Sequence, residues 1–121
     1  MIVAGLGFRR GCPADHIIEA VFVAEDRVAR QVGALAAPEW KHGDRGLNDA
    51  AYRLKLPIHF VSWSRLKRVQ SRCVTQSVIV ARATGLASIA EAAALAVAGR
   101  GRRLLLPRIV WGSATCALAE R

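Results

Sequence analysis

Long apolar runs are missing from this chain of 121 residues. No stretch approaches the roughly 20 residues that a membrane-spanning helix needs. The start has no basic segment leading into an apolar one, as a secretory leader would. The expectation is a soluble, cytoplasmic, unprocessed chain with no membrane partner. Cysteine is scarce: Cys12, Cys73 and Cys116 are odd in number and match no C-x-x-C or zinc spacing, which predicts free thiols in a reducing compartment. Histidine is as scarce. The spacing of His16, His42 and His59 puts no two on one face, so no metal site is expected. Acidic residues are outnumbered, nine Asp and Glu against 18 Lys and Arg, for a net charge of +9. Lysine is confined to Lys41, Lys55 and Lys67, so the excess is overwhelmingly arginine. That balance favours anionic partners. Only three Trp, three Phe and one Tyr are available for base stacking, and the basic residues are scattered rather than collected in a run. Nucleic acid is therefore a weak match, resting on net charge alone.

Motifs with a defined chemistry are also lacking. No G-x-S-x-G elbow supports a serine hydrolase built from Ser77, His42 and Asp44. The glycines at Gly5-x-Gly7-x-x-x-Gly11 are one residue too far apart for the dinucleotide fingerprint, and no acidic residue answers the ribose about twenty positions on. Neither cofactor nor catalytic residue is assigned from the residues. Two readings of the opening remain. Gly5, Gly7, Arg9, Arg10 and Gly11 form an anion-binding loop that ends a first strand and leads into a helix N-terminus, or they make a tight turn with solvated arginines. Cys12, beside the two arginines, is either an activated thiol or a partly buried inert one.

What is present is enough apolar residue, 53 %, to fill the core of one domain. Strand-like residues 2–6 precede a helix from Pro13 to about Val32, where Ile17, Ile18, Val21, Val28 and Val32 share a stripe and Gly33 closes it. A second strand is expected over Ala34–Trp40, then a polar turn at Lys41–Asp44. Asp44 is a candidate N-cap for a short helix ending near Lys55. Pro57–Val61 is the third strand, with His59 read as a helix-covered core residue. Ser62 or Ser64 caps a helix through Leu66. Residues 70–76 have no periodicity and read as a loop, and helices are expected over Ser77–Thr84 and from Ser88 to Ala98. Ser88 and Glu91 have the spacing of a capping box. Leu104–Leu106 and Ala114–Leu118 make the last strands, the final one antiparallel because its connection is too short for a helix.

The pattern predicts a single compact α/β domain over residues 1–121, with a mainly parallel sheet of four or five strands flanked by helices. Ligands of such sheets bind beyond the carboxyl ends of the strands. Arg9, Arg10, Lys41, His42, Asp44 and Arg108 are expected on that rim, with Thr75 and Ser77 reaching over it. Lys41 and Asp44 are expected to pair.

At these residues the chain resembles the CobE proteins of cobalamin biosynthesis and the C-terminal domain of the CbiG cobalt-precorrin-5A hydrolases. The resemblance is carried by Gly5-x-Gly7-x-Arg9-Arg10-Gly11, Lys41-x-x-Asp44-x-Gly46-Leu47 and Thr75-Gln76-Ser77. Gly85-x-x-Ser88-x-Ala90-Glu91-Ala92-Ala93-Ala94-Leu95, Leu105-x-Pro107-Arg108 and Ala114-Thr115-Cys116-Ala117-Leu118-Ala119 complete it, in family order over nearly the whole chain. Phe8 stands where many relatives have cysteine, so thiol chemistry at that point is absent. The resemblance implies a role in corrin-ring synthesis with a precorrin or other corrinoid intermediate as ligand and other cobalamin-pathway enzymes as partners. The lactone-opening activity belongs to the two-domain hydrolases. A carrier or accessory protein and a stand-alone hydrolase or lyase are both compatible with it; a nucleotide- or RNA-binding module is the third alternative. Arg9, Arg10 and Arg108 would hold side-chain carboxylates on an apolar macrocycle, and the Gly5–Gly11 backbone would donate further N–H bonds.

Overall fold

The computed structural model describes the backbone of residues 1–121 and the side chains of all but residues 78–80. Strands β1 (Ile2–Phe8), β2 (Val32–Pro38), β3 (Ile58–Val61), β4 (Leu104–Trp111) and β5 (Ala114–Glu120) form one sheet in the order β3-β2-β1-β5-β4. β1, β2 and β3 are parallel, β5 runs against β1, and β4 runs against β5. The mixed α/β sheet with an antiparallel C-terminal strand is therefore present. The chain first lays down its central strand. Gly5 faces Ala36 of β2 on one side and Ala117 of β5 on the other.

Helices α1 (Ala14–Val28) and α2 (Arg45–Leu54) cover one face, where Ile17, Val21 and Leu47 bury against Ile2, Leu6 and Leu35. Helix α5 (Ile89–Ala98) covers the other face, with α3 (Trp63–Arg68) beside it and α4 (Val78–Thr84) preceding it. α5 is buried on nearly every side, and its alanines are the reason. Small side chains let its backbone lie directly on the sheet, and a Cβ added to Gly5 would sit 1.9 Å from the Ala90 carbonyl.

Several boundaries differ from the sequence reading. α1 stops at Val28, not near Val32, because Ala29 takes the left-handed conformation (φ 54°) and closes the helix onto the Glu25 carbonyl. The Glu25 carboxylate then accepts from the Val32 N–H at 2.7 Å, turning the chain into β2. Gly33 thus lies inside β2, which ends at Pro38 ahead of a 3₁₀ turn over Glu39–Lys41. A second 3₁₀ turn, Gln70–Arg72, occupies part of the expected loop. His59 is exposed on the edge strand β3. β4 runs to Trp111 through Pro107, which a sheet tolerates on an edge strand, and its register slips between Leu106 and Ile109. The caps Asp44, Ser62 and Ser88 accept from Leu47, Arg65 and Glu91 N–H groups, as their spacing suggests.

Candidate functional site

At the carboxyl end of β1 the chain makes a tight turn over Arg9–Cys12, closed by the Cys12 N–H on the Arg9 carbonyl at 3.1 Å and carried by Gly11 at φ 82°. Pro13 precedes α1 in an extended conformation, pre-set for the first helical turn. The turn is pressed against the start of α2, where a Cβ on Gly46 would lie 2.3 Å from the Cys12 carbonyl. Between the two segments opens a cleft of about 940 Å³, lined by Arg10, Gly11, Cys12, Trp40, Lys41, Asp44 and Arg45 among others. Four of the expected residues, Arg10, Gly11, Lys41 and Asp44, thus meet in one place. Arg9 is exposed on the same turn.

The charges in this cleft are held in different ways. Lys41 does not pair with Asp44; its Nζ lies over the Phe8 ring, 4.8 Å from the centroid, a cation–π contact that aims the ammonium across the end of β1. Asp44 is occupied as the α2 cap, its Oδ1 accepting from the Leu47 N–H at 2.9 Å. Among the described residues Arg10 and Arg45 meet no carboxylate, and the carboxylate-paired arginines are Arg30 and Arg53. The cleft therefore offers two unpaired guanidiniums and a positioned ammonium. Asp49, also on its wall, lies 3.7 Å from Arg53.

Gly5 and Gly7 are not part of the turn. Both lie inside β1, where their missing side chains admit the α5 backbone and the Thr115 hydroxyl, 2.6 Å from where a Gly7 Cβ would stand. Close packing, not ligand approach, accounts for them. Arg108 is likewise not at a strand end: it lies within β4 at the register slip.

That slip serves a second cluster, on the α5 face. The Glu91 carboxylate is fully buried and, instead of returning to the Ser88 cap, accepts four hydrogen bonds. They come from the Val74 and Thr75 N–H groups at 2.9 Å each, the Thr75 hydroxyl at 2.6 Å, and the Arg108 N–H at 2.9 Å. Burial alone would raise its pKa; the bonds from Arg108, Thr75 and Val74 outweigh it and hold the carboxyl below its ordinary range. Thr75 and Arg108 are thus brought together, but by Glu91 and away from the cleft. Ser77 opens α4, its N–H donating to the Ala87 carbonyl at 3.0 Å and its own carbonyl accepting from Ala81.

Two features escaped the sequence reading. The first is aromatic. Trp40, Trp63 and Trp111, all the tryptophan in the chain, follow or end β2, β3 and β4 at the carboxyl edge, and each is roughly half exposed. Trp63 Nε1 donates to the Thr84 carbonyl and Trp111 Nε1 to Glu19, at 2.7 and 2.9 Å. Trp40 is the one that lines the cleft. Tryptophan just past a strand was the available signal. The second is a polar cluster: Ser113, in the β4–β5 turn, donates its hydroxyl to the Cys12 sulfur at 3.2 Å, and the same oxygen lies 2.9 Å from His16 Nδ1. His16 Nδ1 also accepts from the Ser113 N–H at 3.1 Å, which places the imidazole proton on Nε2 when the ring is neutral. Gly112, at φ 58°, makes room for the ring; a Cβ there would fall 2.6 Å from Nδ1. His16 and Ser113 are almost a hundred positions apart, so no spacing rule joins them.

The other two thiols are free, buried and held in the protonated form. Burial, then the Glu91 charge, pushes Cys73 up to about 11, and burial, with Glu25 nearby, pushes Cys116 up to about 12. No group of three or more His, Cys, Asp or Glu able to hold a metal ion occurs among the described residues, and no helix described is long and apolar enough to cross a membrane.

A family described as cobalamin synthesis G C-terminus matches residues 2–119. The chain is similar to a protein CobE of Sinorhizobium sp., 33 % identical over 121 residues, covering 98 % of this chain and 79 % of that protein. Among solved structures it is similar to CobE, a protein from the cobalamin biosynthetic pathway, at 34 % identity and TM-score 0.92, covering all of this chain and 90 % of the other. It is also similar to the cobalamin biosynthesis protein chiG from Agrobacterium tumefaciens str. C58, at 40 % identity and TM-score 0.81, covering 99 % and 98 %. A cobalamin biosynthesis protein G homologue from Sulfolobus solfataricus, 20 % identical over 36 % of its own length with TM-score 0.73, shares the fold.

Proposed function

The chain belongs to the cobalamin synthesis G C-terminus family, and from that premise we propose that it binds a carboxylate-bearing tetrapyrrole intermediate in the Arg10–Trp40–Lys41 cleft and assists its processing or transfer. It is a cobalamin-biosynthesis protein of the CobE and CbiG type. The observation that carries the reading is the composition of the cleft wall, where the half-exposed indole of Trp40 stands beside Arg10, Lys41 and Arg45. A corrinoid precursor is an apolar macrocycle edged with acetate and propionate groups. Trp40 supplies the apolar face, the Arg10 and Arg45 guanidiniums supply forked donors to carboxylates, and Lys41 adds a point charge steadied by Phe8. Arg9, exposed on the same turn, extends the cationic edge. The backbone of the turn is closed by the Cys12 N–H on the Arg9 carbonyl and packed against α2 at Gly46, which sets where the chain presents these charges.

Visible-absorbance titration with hydrogenobyrinic acid on gel-filtered protein tests the reading. The pigment should co-elute with the wild type, and an Arg10→Ala/Lys41→Ala variant should bind about 100-fold more weakly, two charge-assisted contacts being lost. Absence of pigment from the wild type, or unchanged affinity in the variant, removes the assignment.

One observation favours a second reading, a stand-alone hydrolase or lyase on a precorrin lactone. The Cys12 sulfur lines the cleft and accepts from the Ser113 hydroxyl, whose oxygen lies 2.9 Å from His16 Nδ1, so a candidate nucleophile stands near a candidate base. A two-carbon fragment released from a lactone-bearing intermediate by wild-type protein, and not by Cys12→Ala, would establish it.

A further inference from the structure

At the amino edge of the sheet, the pole opposite the corrinoid cleft, lies a second cavity of about 490 Å³. Its walls come from α3, the Gln70–Arg72 turn, the last turn of α5 and the Gly99–Gly101 turn. Four arginines line it, Arg65, Arg68, Arg72 and Arg100, over a small apolar floor of Val69, Leu95 and Ala96. No acidic side chain lines it. Gathering four guanidiniums in one concavity raises the electrostatic cost of each, and among the described residues no carboxylate meets any of the four.

Helix capping explains two of the four. Arg65 donates to the Ala96 carbonyl at 3.2 Å and Arg72 to the Arg102 carbonyl at 2.8 Å, so both guanidiniums answer carbonyls at and beyond the α5 C-terminus. Each bond uses one of five N–H donors and leaves the rest of the fork fixed in direction. Arg68 and Arg100 have no such account: among the described residues neither meets a carboxylate. Arg100 is carried by a turn whose flanking glycines, at φ 112° and φ 76°, have open space where a Cβ would stand. Backbone therefore also borders the cavity closely.

We infer that this arginine cavity is an anion site for a small di- or triphosphate group, distinct from the corrinoid cleft and independent of how that cleft is read. The charge of a polyphosphate approaches that of four guanidiniums, and its oxygens suit several forked donors at once. The cavity has about half the volume of the cleft and no aromatic wall, so a macrocycle has neither room nor a stacking surface there. A concave, floored shape suits a compact phosphate group better than a passing polynucleotide backbone, which is tracked by an open groove with stacking aromatics.

The test is calorimetric titration of sodium tripolyphosphate into the protein at fixed ionic strength. Wild type, Arg68→Gln/Arg100→Gln and Arg10→Gln are compared, each checked for an unchanged melt. Saturable one-to-one binding is expected, weakened about 100-fold in the double variant and within twofold of wild type in Arg10→Gln. Competition by ATP at the same stoichiometry would make a nucleotide the source of the phosphates; its failure to compete, with tripolyphosphate bound, would make the source a free polyphosphate. The inference is overturned by no saturable binding at millimolar concentration, by unchanged affinity in the double variant, or by an equal loss in Arg10→Gln, which would mean diffuse attraction to net charge. Tighter binding of a single-stranded oligonucleotide that both sets of substitutions weaken would likewise overturn it.

Discussion

The two clusters on opposite faces of the sheet treat charge in opposite ways. On the α5 face, Glu91 is sealed from water and every one of its four partners is a donor of the protein itself. Beside α2, Arg10 and Arg45 stand at an open cleft and, among the described residues, meet no carboxylate. A buried charge must be satisfied internally or it unfolds the protein, whereas an exposed one costs little to leave open. The first cluster is therefore fastening, and the second is what the fastening leaves available to a ligand.

The sharpest way to break that contrast is Glu91→Gln. The amide would set a donor against donors from Val74, Thr75 and Arg108, with an expected loss on the order of 3–5 kcal/mol in urea unfolding. A loss under about 1 kcal/mol would mean that the knot is not structural. Gly5→Ala should come next. Its Cβ would stand 1.9 Å from the Ala90 carbonyl, so α5 must lift from the sheet, at a cost of about 2–3 kcal/mol by thermal melt.

Acid gives a reversible form of the first experiment. The Glu91 carboxyl is held below its ordinary value of 4.5, so its contribution is complete above that pH and is lost as pH falls through the lowered value. Stability should decline below about pH 4.5 in the wild type, and the decline should be shallower in Glu91→Gln. The smallest effect belongs to the other side of the comparison: Arg10→Ala/Lys41→Ala should leave stability within about 0.5 kcal/mol of wild type. A larger loss would move those residues from ligand chemistry into the fold.

What the sequence made legible was local. Asp44, Ser62 and Ser88 cap their helices through bonds three residues long, and the mixed sheet followed from alternating elements and one short connection. What it hid was distant. Gly5 and Gly7 read as a ligand loop because nothing nearby shows α5 arriving from residue 89 to fill the space. Glu91 fits a capping box by spacing, yet its carboxylate is drawn to Thr75 and Arg108 by folds of chain on either side. The strand read over Leu104–Leu106 runs on through Pro107 to Trp111, because β5 pairs with it on both sides of the register slip. Of the expected rim, Arg10, Lys41 and Asp44 line one cleft together with Gly11, because they are placed by the turns that the strands themselves end in.

The strand order carries a consequence for how the molecule comes to be. β1 sits at the centre, bonded to β2 early in the sequence but to β5 more than a hundred residues later. During synthesis the glycine strip stays open until α5 has emerged, and the β5 edge until residues 114–120 have. Such long-range closure makes for slow assembly and a lingering adhesive edge. The nascent chain is thus exposed to self-association at the strand around which the finished protein is built, and its yield should depend on translation rate and temperature more than its final stability suggests.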